Sequence, residues 1–247
     1  MLMDFGKVPF DIILQAGQSN SEGCGFGAIN NPFESDDRIW YLNNDFTISK
    51  AVELAVGNNV ICNFSLPFAA CYIRKGFLPE PRNLLIVRAA VSGTGFLDKH
   101  WGLEDDTYLR MLKMTETALS LNSNNRLVCF LWHQGSTDAE LGSTFDKHYK
   151  NLMTLVKTVR ITYDCINLPF IAGDFVHDWK NSNLSICEPI VRAIRAVCND
   201  LGNAEFVETD GLTSNAQANG GDDTIHFSRK ALMVLGQRYF EKYLKLI

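Results

Sequence analysis

Ile12-Ile13-Leu14-Gln15-Ala16-Gly17-Gln18-Ser19-Asn20 is the stretch whose reading decides the fold. The apolar run from Phe10 to Leu14 reads as a buried strand. It stops at Gly17, and a small polar cluster follows at once. In a parallel α/β sheet the carboxyl ends of the strands form the crevice where ligands bind. A serine hydroxyl delivered there by the first strand is placed for chemistry, provided the chain also supplies a base, an orienting acid and donors for an oxyanion.

Downstream, strand-like runs alternate with helical patterns. Arg38 to Leu42 reads as a short strand, Leu84 to Val91 as a second core strand, and Arg126 to Trp132 as a third. Pro169 to Ala172 and Glu205 to Val207 make the fourth and fifth. Helices are expected over Leu66–Gly76, Asp105–Leu121, Thr144–Thr162 and Ile186–Leu201, and from Arg229 to the end with Ser228 as N-cap. The stripe expected on the second helix is Leu109, Leu112, Thr115 and Leu119. Ser19 to Asp37 and Ser214 to Asp223 read as long loops, the second of a kind that is more often functional than idle. Such alternation predicts a parallel sheet with helices on both faces. No repeat or linker divides the chain, so residues 1–247 are expected to form one domain.

Composition narrows the function classes. An apolar fraction of 46% and a charged fraction of 21% are those of an ordinary globular protein. The formal net charge of −5, with no basic run, argues against nucleic acid as a partner. No apolar stretch is long enough to span a bilayer, and Asp4 and Asp11 interrupt what would otherwise resemble a leader, so no membrane partner is expected. Seven scattered cysteines, several in apolar surroundings, suit buried thiols in the cytoplasm better than a disulfide framework. There is no Cys-x-x-Cys pair and no His-Glu-x-x-His helix, so neither metal nor organic cofactor is expected.

The first strand empties at Ser19, the second at Gly93 and the third at Gln134; the last loop ends in Asp223-Thr224-Ile225-His226. Parallel strands share one carboxyl end, so these sites belong to one edge of the sheet. A serine hydroxyl needs a base to remove its proton, and His226 is the candidate. Asp223, three residues earlier, can reach the imidazole Nδ1–H across one turn and fix its tautomer; Asp222 is an alternative at a less natural spacing. The Ser19 amide, the Gly93 amide and the Gln134 side-chain NH₂ are candidate oxyanion donors. Gln18, Asn20, Thr94, His133, His177 and Trp101 are candidate substrate contacts, and Trp40 and Trp179 could add a sugar-stacking surface. His100 and His148 lack chemical partners nearby and read as surface residues.

The blocks Ala16-Gly17-Gln18-Ser19-Asn20, Ala90-Val91-Ser92-Gly93-Thr94, Trp132-His133-Gln134-Gly135 and Asp223-Thr224-Ile225-His226-Phe227-Ser228 together resemble the SGNH hydrolases. The likeness is strongest to the sialate O-acetylesterase and acetylxylan esterase branch of carbohydrate esterases, in which glutamine commonly takes the oxyanion role. The resemblance implies a three-layer α/β/α sandwich with a five-stranded parallel sheet in the flavodoxin-like order 2-1-3-4-5. It also implies Ser19 as nucleophile, Gly93 and Gln134 as oxyanion donors, and Asp223 with His226 completing a triad. Two positions depart from the pattern: Ser136 stands where the branch usually has Glu, and Ser92 where it usually has Gly. Cys24, in the loop after the nucleophile, has no evident role. The expected activity is hydrolysis of an O-acetyl ester on a sialic acid or another acetylated sugar. The alternatives are a non-catalytic carbohydrate-binding relative and an esterase for a non-sugar ester. An α/β-hydrolase is disfavoured because Ser21 stands where its Gly-x-Ser-x-Gly elbow needs Gly, and Gly23-Cys24-Gly25-Phe26-Gly27 has the spacing of neither nucleotide loop.

Overall fold

The computed structural model describes residues 4–28 and 30–247. Met1 to Met3, the start of the stretch read against a leader, and Ile29, in the loop after Ser19, lie outside the described residues. The strands are β1 Phe10–Gly17, β2 Gly25–Ala28, β3 Ile39–Leu42, β4 Ile48–Lys50, β5 Leu54–Val56 and β6 Asn59–Cys62, followed by β7 Asn83–Arg88, β8 Arg126–His133, β9 Phe170–Gly173 and β10 Ala204–Val207. The helices are α1 Ser19–Glu22, α2 Ser65–Arg74, α3 Asp106–Ser120, α4 Ser136–Glu140 and α5 Phe145–Thr162, then α6 His177–Ser182, α7 Leu184–Asp200, α8 Asn215–Asn219 and α9 Arg229–Tyr243.

The main sheet has the order β10-β9-β8-β1-β7-β3-β4. Its pairs are parallel except β3 with β4. The five expected core strands occur in the expected order, but the sheet has seven strands and is mixed. Beyond them lie β3, which falls on the short strand read at Arg38 to Leu42, and the added β4, which forms one edge. Edge strands carry a weaker apolar signal because one side faces solvent; Lys50 on β4 lies over the Trp40 ring. A separate three-stranded antiparallel sheet, β2-β6-β5, was not anticipated.

β1 shows why its sequence reads as a continuous apolar run. Phe10, Ile12, Leu14 and Ala16 face one core layer, shared with Met111 and Met114 of α3, Leu152 and Val156 of α5, and Ile194 of α7. Ile13 faces the other layer, with Phe68 of α2 and Leu232, Leu235 and Tyr239 of α9. A strand covered on both faces needs apolar residues at both parities. The polar interruption at Asp11 is fully buried and neutralised by Arg82 Nε at 2.6 Å and Arg126 Nε at 2.7 Å, with Tyr72 Oη donating at 2.8 Å. That cluster lies at the amino end of the strand, away from Ser19. Buried charge is tolerated there because it is paired and hydrogen-bonded.

Some helical expectations needed correction. On α3 the buried face is Thr107, Tyr108, Met111, Met114, Thr115 and Ala118, whereas Leu109 is exposed. Counting leucines set the stripe off by about one position; the aromatic, the methionines and the small alanine mark the true face. The loop from Ser19 to Asp37 contains α1 and β2. That from Ser214 to Asp223 contains α8, started by a capping box between Ser214 and Gln217. Ser228 caps α9 as expected, accepting from Ala231 N. Among the described residues no helix is long and apolar enough to cross a membrane.

Candidate active site

β1 ends at Gly17, whose φ of +123° suits glycine and where a Cβ would collide with the His133 carbonyl. Gln18 N donates to His133 O at 3.0 Å, after which the chain turns into α1 with Ser19 as its first residue. This places the Ser19 hydroxyl at the carboxyl edge of the sheet, beside the end of β8.

His226 reaches it from the loop between α8 and α9. His226 Nε2 lies 3.0 Å from Ser19 Oγ, and His226 Nδ1 lies 2.8 Å from Asp223 Oδ1. Asp223 Oδ1 also accepts from His226 N at 3.3 Å, which closes the three-residue turn. Its other oxygen accepts from Asn215 Nδ2 at 2.8 Å. The same Nδ2 donates to Cys24 O, and Asn215 Oδ1 accepts from Phe26 N, so α8 and β2 hold the carboxylate from behind. Asp222 is exposed, and Asp223 is the carboxylate that meets the imidazole.

Asn20 joins the two halves of this arrangement. Its Nδ2 donates to Ile225 O at 2.9 Å, and its Oδ1 accepts from Phe227 N at 3.0 Å. Both chain neighbours of His226 are thus bonded to the residue after Ser19. Expected as a substrate contact, Asn20 has both ends of its amide on backbone groups. Gln18 is similarly engaged: its Nε2 donates to Ser136 Oγ at 2.7 Å, and its Oε1 accepts from Gly135 N at 3.0 Å and Thr137 N at 3.3 Å.

Gly93 sits at φ +71°, exposed, with open space around its Cα. Its loop is pinned at one end by Glu22, whose Oε2 accepts from Ser92 N at 2.7 Å and Ser92 Oγ at 2.6 Å. At the other end the buried Asp138 carboxylate accepts from Phe96 N at 3.0 Å and Leu97 N at 2.9 Å. Neither Ser19 N nor Gly93 N has an acceptor among the described residues, so both are free to donate at this edge.

Gln134 departs from the expectation. Its Nε2 donates to Asp138 Oδ2 at 2.7 Å and to Thr94 O at 3.3 Å. The NH₂ expected to serve an oxyanion is committed, and the unpartnered atom is the acceptor Oε1. Trp101 is also corrected: it is fully buried, donating from Nε1 to Thr94 Oγ1 at 2.9 Å, while Thr94 donates to Val91 O at 2.7 Å. These two shape the Gly93 loop from beneath. His148 is no surface residue. It is fully buried 3.6 Å from Asp138 Oδ2, and burial pushes its imidazole down to about 4.

His133 is buried, its Nδ1 lies 3.0 Å from Tyr239 Oη, and burial pushes it down to about 3. His177 is partly exposed beside the Asp174 and Asp210 carboxylates, at 3.6 and 3.8 Å. Trp40, on β3, packs against Phe5, whereas Trp179 lines a small cavity bounded by Gln18 and Asn20. That cavity has room for about 10 Å³, one water or one hydroxyl group. Two larger ones, of about 540 and 560 Å³, lie beside Phe26, Phe33 and Met233 and beside Leu112 and Tyr163. Ser19 and His226 line none of these three cavities; the small one is bounded by their chain neighbours Gln18, Asn20 and Ile225. The Cys24 thiol is pushed up to about 11, chiefly by burial, which makes it a poor nucleophile.

Glu22, Asn215 and Asp138 were not singled out from sequence. For Asn215 a signal existed, because Ser214-x-x-Gln217 is a capping box that announces a helix in the loop carrying Asp223 and His226. For Glu22 there was none, since Ser92 is 70 residues away; for Asp138 the four-residue spacing from Gln134 was a signal, but the Phe96 and Leu97 amides about 40 residues away were not.

A family model described as carbohydrate esterase, sialic acid-specific acetylesterase, matches residues 9–245. No curated protein matches the sequence. Among solved structures, NanS superposes with a TM-score of 0.79 at 19% identity, covering 96% of this chain and 97% of NanS. A protein from Arabidopsis thaliana gives 0.71 at 20% identity, covering 96% of this chain and 98% of its own. A carbohydrate acetylesterase from Xanthomonas citri gives 0.63 at 14%, covering 96% of this chain and 56% of its own. At these identities the structural likeness is one of fold.

Proposed function

The chain belongs to the carbohydrate esterase family of sialic acid-specific acetylesterases, and from that premise we propose that Ser19, His226 and Asp223 are the triad with which it cleaves an O-acetyl ester on a sugar. It is a carboxylic ester hydrolase, and the family's reaction is hydrolysis of a carbohydrate O-acetyl ester. The observation that carries the residue assignment is the chain of contacts from Ser19 Oγ to His226 Nε2 at 3.0 Å and from His226 Nδ1 to Asp223 Oδ1 at 2.8 Å.

In this reading Asp223 takes the Nδ1–H, which leaves Nε2 as the lone-pair end facing the hydroxyl. Ser19 Oγ attacks the acetyl carbonyl carbon as its proton passes to His226 Nε2, and Asp223 stabilises the imidazolium. Negative charge on the carbonyl oxygen is met by the Ser19 and Gly93 amides. Collapse breaks the bond to the sugar oxygen, which receives the proton from Nε2. A water then gives a proton to the same imidazole and attacks the acetyl-serine; the bond to Ser19 Oγ breaks, Oγ takes that proton back from Nε2, and acetate leaves. The free amide of Gly93 takes up the role because Glu22 and Asp138 hold its loop in place; Gln134 is given a different one below.

Two further readings accompany this one. All seven cysteines are free thiols, five of them buried, which favours a reducing compartment such as the cytoplasm. Both helical layers pack on one sheet, which supports treating residues 1–247 as a single domain. The experiment is acetate release from O-acetylated sugars, sialic acids and xylo-oligosaccharides included, by wild type and Ser19→Ala. Loss of turnover with retained folding is expected; equal turnover by the two would sink the assignment. Sugar binding with no turnover by the wild type would make the chain a binding relative instead.

A further inference from the structure

The orientation of the Gln134 amide bears on which sugars the proposed esterase prefers, and the inference rests on that reading. Gln134 is 1% exposed, and its Nε2 is bonded to Asp138 Oδ2 and Thr94 O. Both are acceptors, so the amide cannot be turned round without setting Oε1 against a carboxylate oxygen. Asp138 is kept in its accepting role by Phe96 N and Leu97 N. Oε1 is therefore a buried acceptor with no partner among the described residues, and leaving such an atom unpaired costs free energy.

Gln134 lines the small cavity bounded by the chain neighbours of the reacting pair. Gln18 and Asn20, the chain neighbours of Ser19, line it too, as does Ile225, the neighbour of His226. His133 borders the same space. Tyr239 donates its own proton to Trp132 O at 2.9 Å, so in the contact between His133 Nδ1 and Tyr239 Oη the imidazole is the donor. His133 Nε2 is then a bare lone pair, and it too has no partner among the described residues. The two residues that carry these buried acceptors both line a space of about 10 Å³, and what suits it is one small hydrogen-bond donor. A sugar ring is too large for it, whereas a single hydroxyl group is the right size.

We propose that Gln134 is a specificity residue whose Oε1, with His133 Nε2 beside it, receives the proton of a free sugar hydroxyl adjacent to the acetylated position. The preferred substrate class is then a partly acetylated sugar, and a fully acetylated one is a poor substrate. Asp138 is the positioning residue that keeps the accepting end of the amide toward the sugar.

The test compares kcat/KM for mono-O-acetylated pyranosides, an O-acetyl sialic acid among them, with deoxy counterparts lacking the neighbouring hydroxyl. Wild type is expected to favour the hydroxylated member by about tenfold or more, the worth of one well-made hydrogen bond. Gln134→Met, which keeps length and removes the acceptor, should bring the ratio to within about twofold. Asp138→Asn should do the same by letting the amide turn. A wild-type ratio near one overturns the proposal and needs no variant to fold. So does a Gln134→Met enzyme that loses rate on both substrates equally, which would return Gln134 to the oxyanion. Either result leaves the esterase reading intact, because that reading fails if Ser19→Ala keeps full turnover on both substrates or if the wild type turns over neither.

Discussion

Replacing Asn20 by Ala should damage the enzyme in a particular way. The amide makes two bonds, to Ile225 O at 2.9 Å and from Phe227 N at 3.0 Å, and it touches the backbone on both sides of His226. Phe227 is fully buried, so its N–H would be stranded; Ile225 is half-buried, and its carbonyl can find water. A stranded buried donor costs about 1–3 kcal/mol and a lost bond at a wetter group about 1 kcal/mol. The sum, about 2–4 kcal/mol, corresponds to a Tm lowered by roughly 4–16 °C for a chain of this size. Freed from the tie, the loop lets the imidazole drift from Ser19 Oγ, and a displacement of about 1 Å costs on the order of 100-fold in rate. Hydrolysis of p-nitrophenyl acetate and calorimetry read the two effects together. A fall in kcat with a fall in Tm is expected, with KM little changed. A rise in KM alone, with kcat and Tm as in wild type, would refute the reasoning and restore Asn20 as a substrate contact.

Asp223→Asn should lower kcat by about 10⁴-fold with the fold intact. Asn215 Nδ2 points at the outer oxygen, so the new amide must turn its oxygen there and its NH₂ toward His226 Nδ1; this leaves the proton on Nε2, and retention of more than a tenth of wild-type activity would contradict the tautomer argument. Glu22→Ala should reduce kcat by about tenfold through loosening of the Gly93 loop, because both bonds to Ser92 are lost, while Tm hardly moves at this exposed site; unchanged kcat would show that the loop holds itself. Thermal stability should fall on acidification. His133 and His148 are held neutral by burial, down to about 3 and about 4, so below the ordinary imidazole range of about 6.5 the unfolded chain binds protons that the fold refuses. Their contribution is complete above that range and is lost progressively toward pH 4; a Tm that stays flat from pH 7 to 4 would mean that the two imidazoles are not buried neutral.

The core strands were legible in the sequence because each is covered on both faces and so reads as an apolar run ended by small polar residues; their order in the sheet came with the family resemblance. The same punctuation marked the functional edge, with Ser19, Gly93 and Gln134 each following a run. Asp223 and His226 were legible as a pair because three residues is the reach of one tight turn. β3 was legible as a short strand, but the edge strand β4 was not, since a half-exposed strand need not be apolar. The small sheet was missed because β2, β5 and β6 are three or four residues each and only their pairing defines them.

Polarity and burial at the site were decided in three dimensions. His148 looked like a surface residue until Asp138 and Phe96 closed around it, and Trp101 looked like a sugar platform until Thr94 took its N–H. Which end of the Gln134 amide faces the crevice depends on Asp138 and on the Thr94 carbonyl, 40 residues back along the chain. Apolar periodicity and turn chemistry act over a few neighbouring residues, so the chain states them in its own order. A hydrogen bond is directional and belongs to whichever groups the fold brings within about 3 Å. The sequence alone therefore determined where the chemistry sits, and only the tertiary structure decided which atoms there give a proton and which receive one.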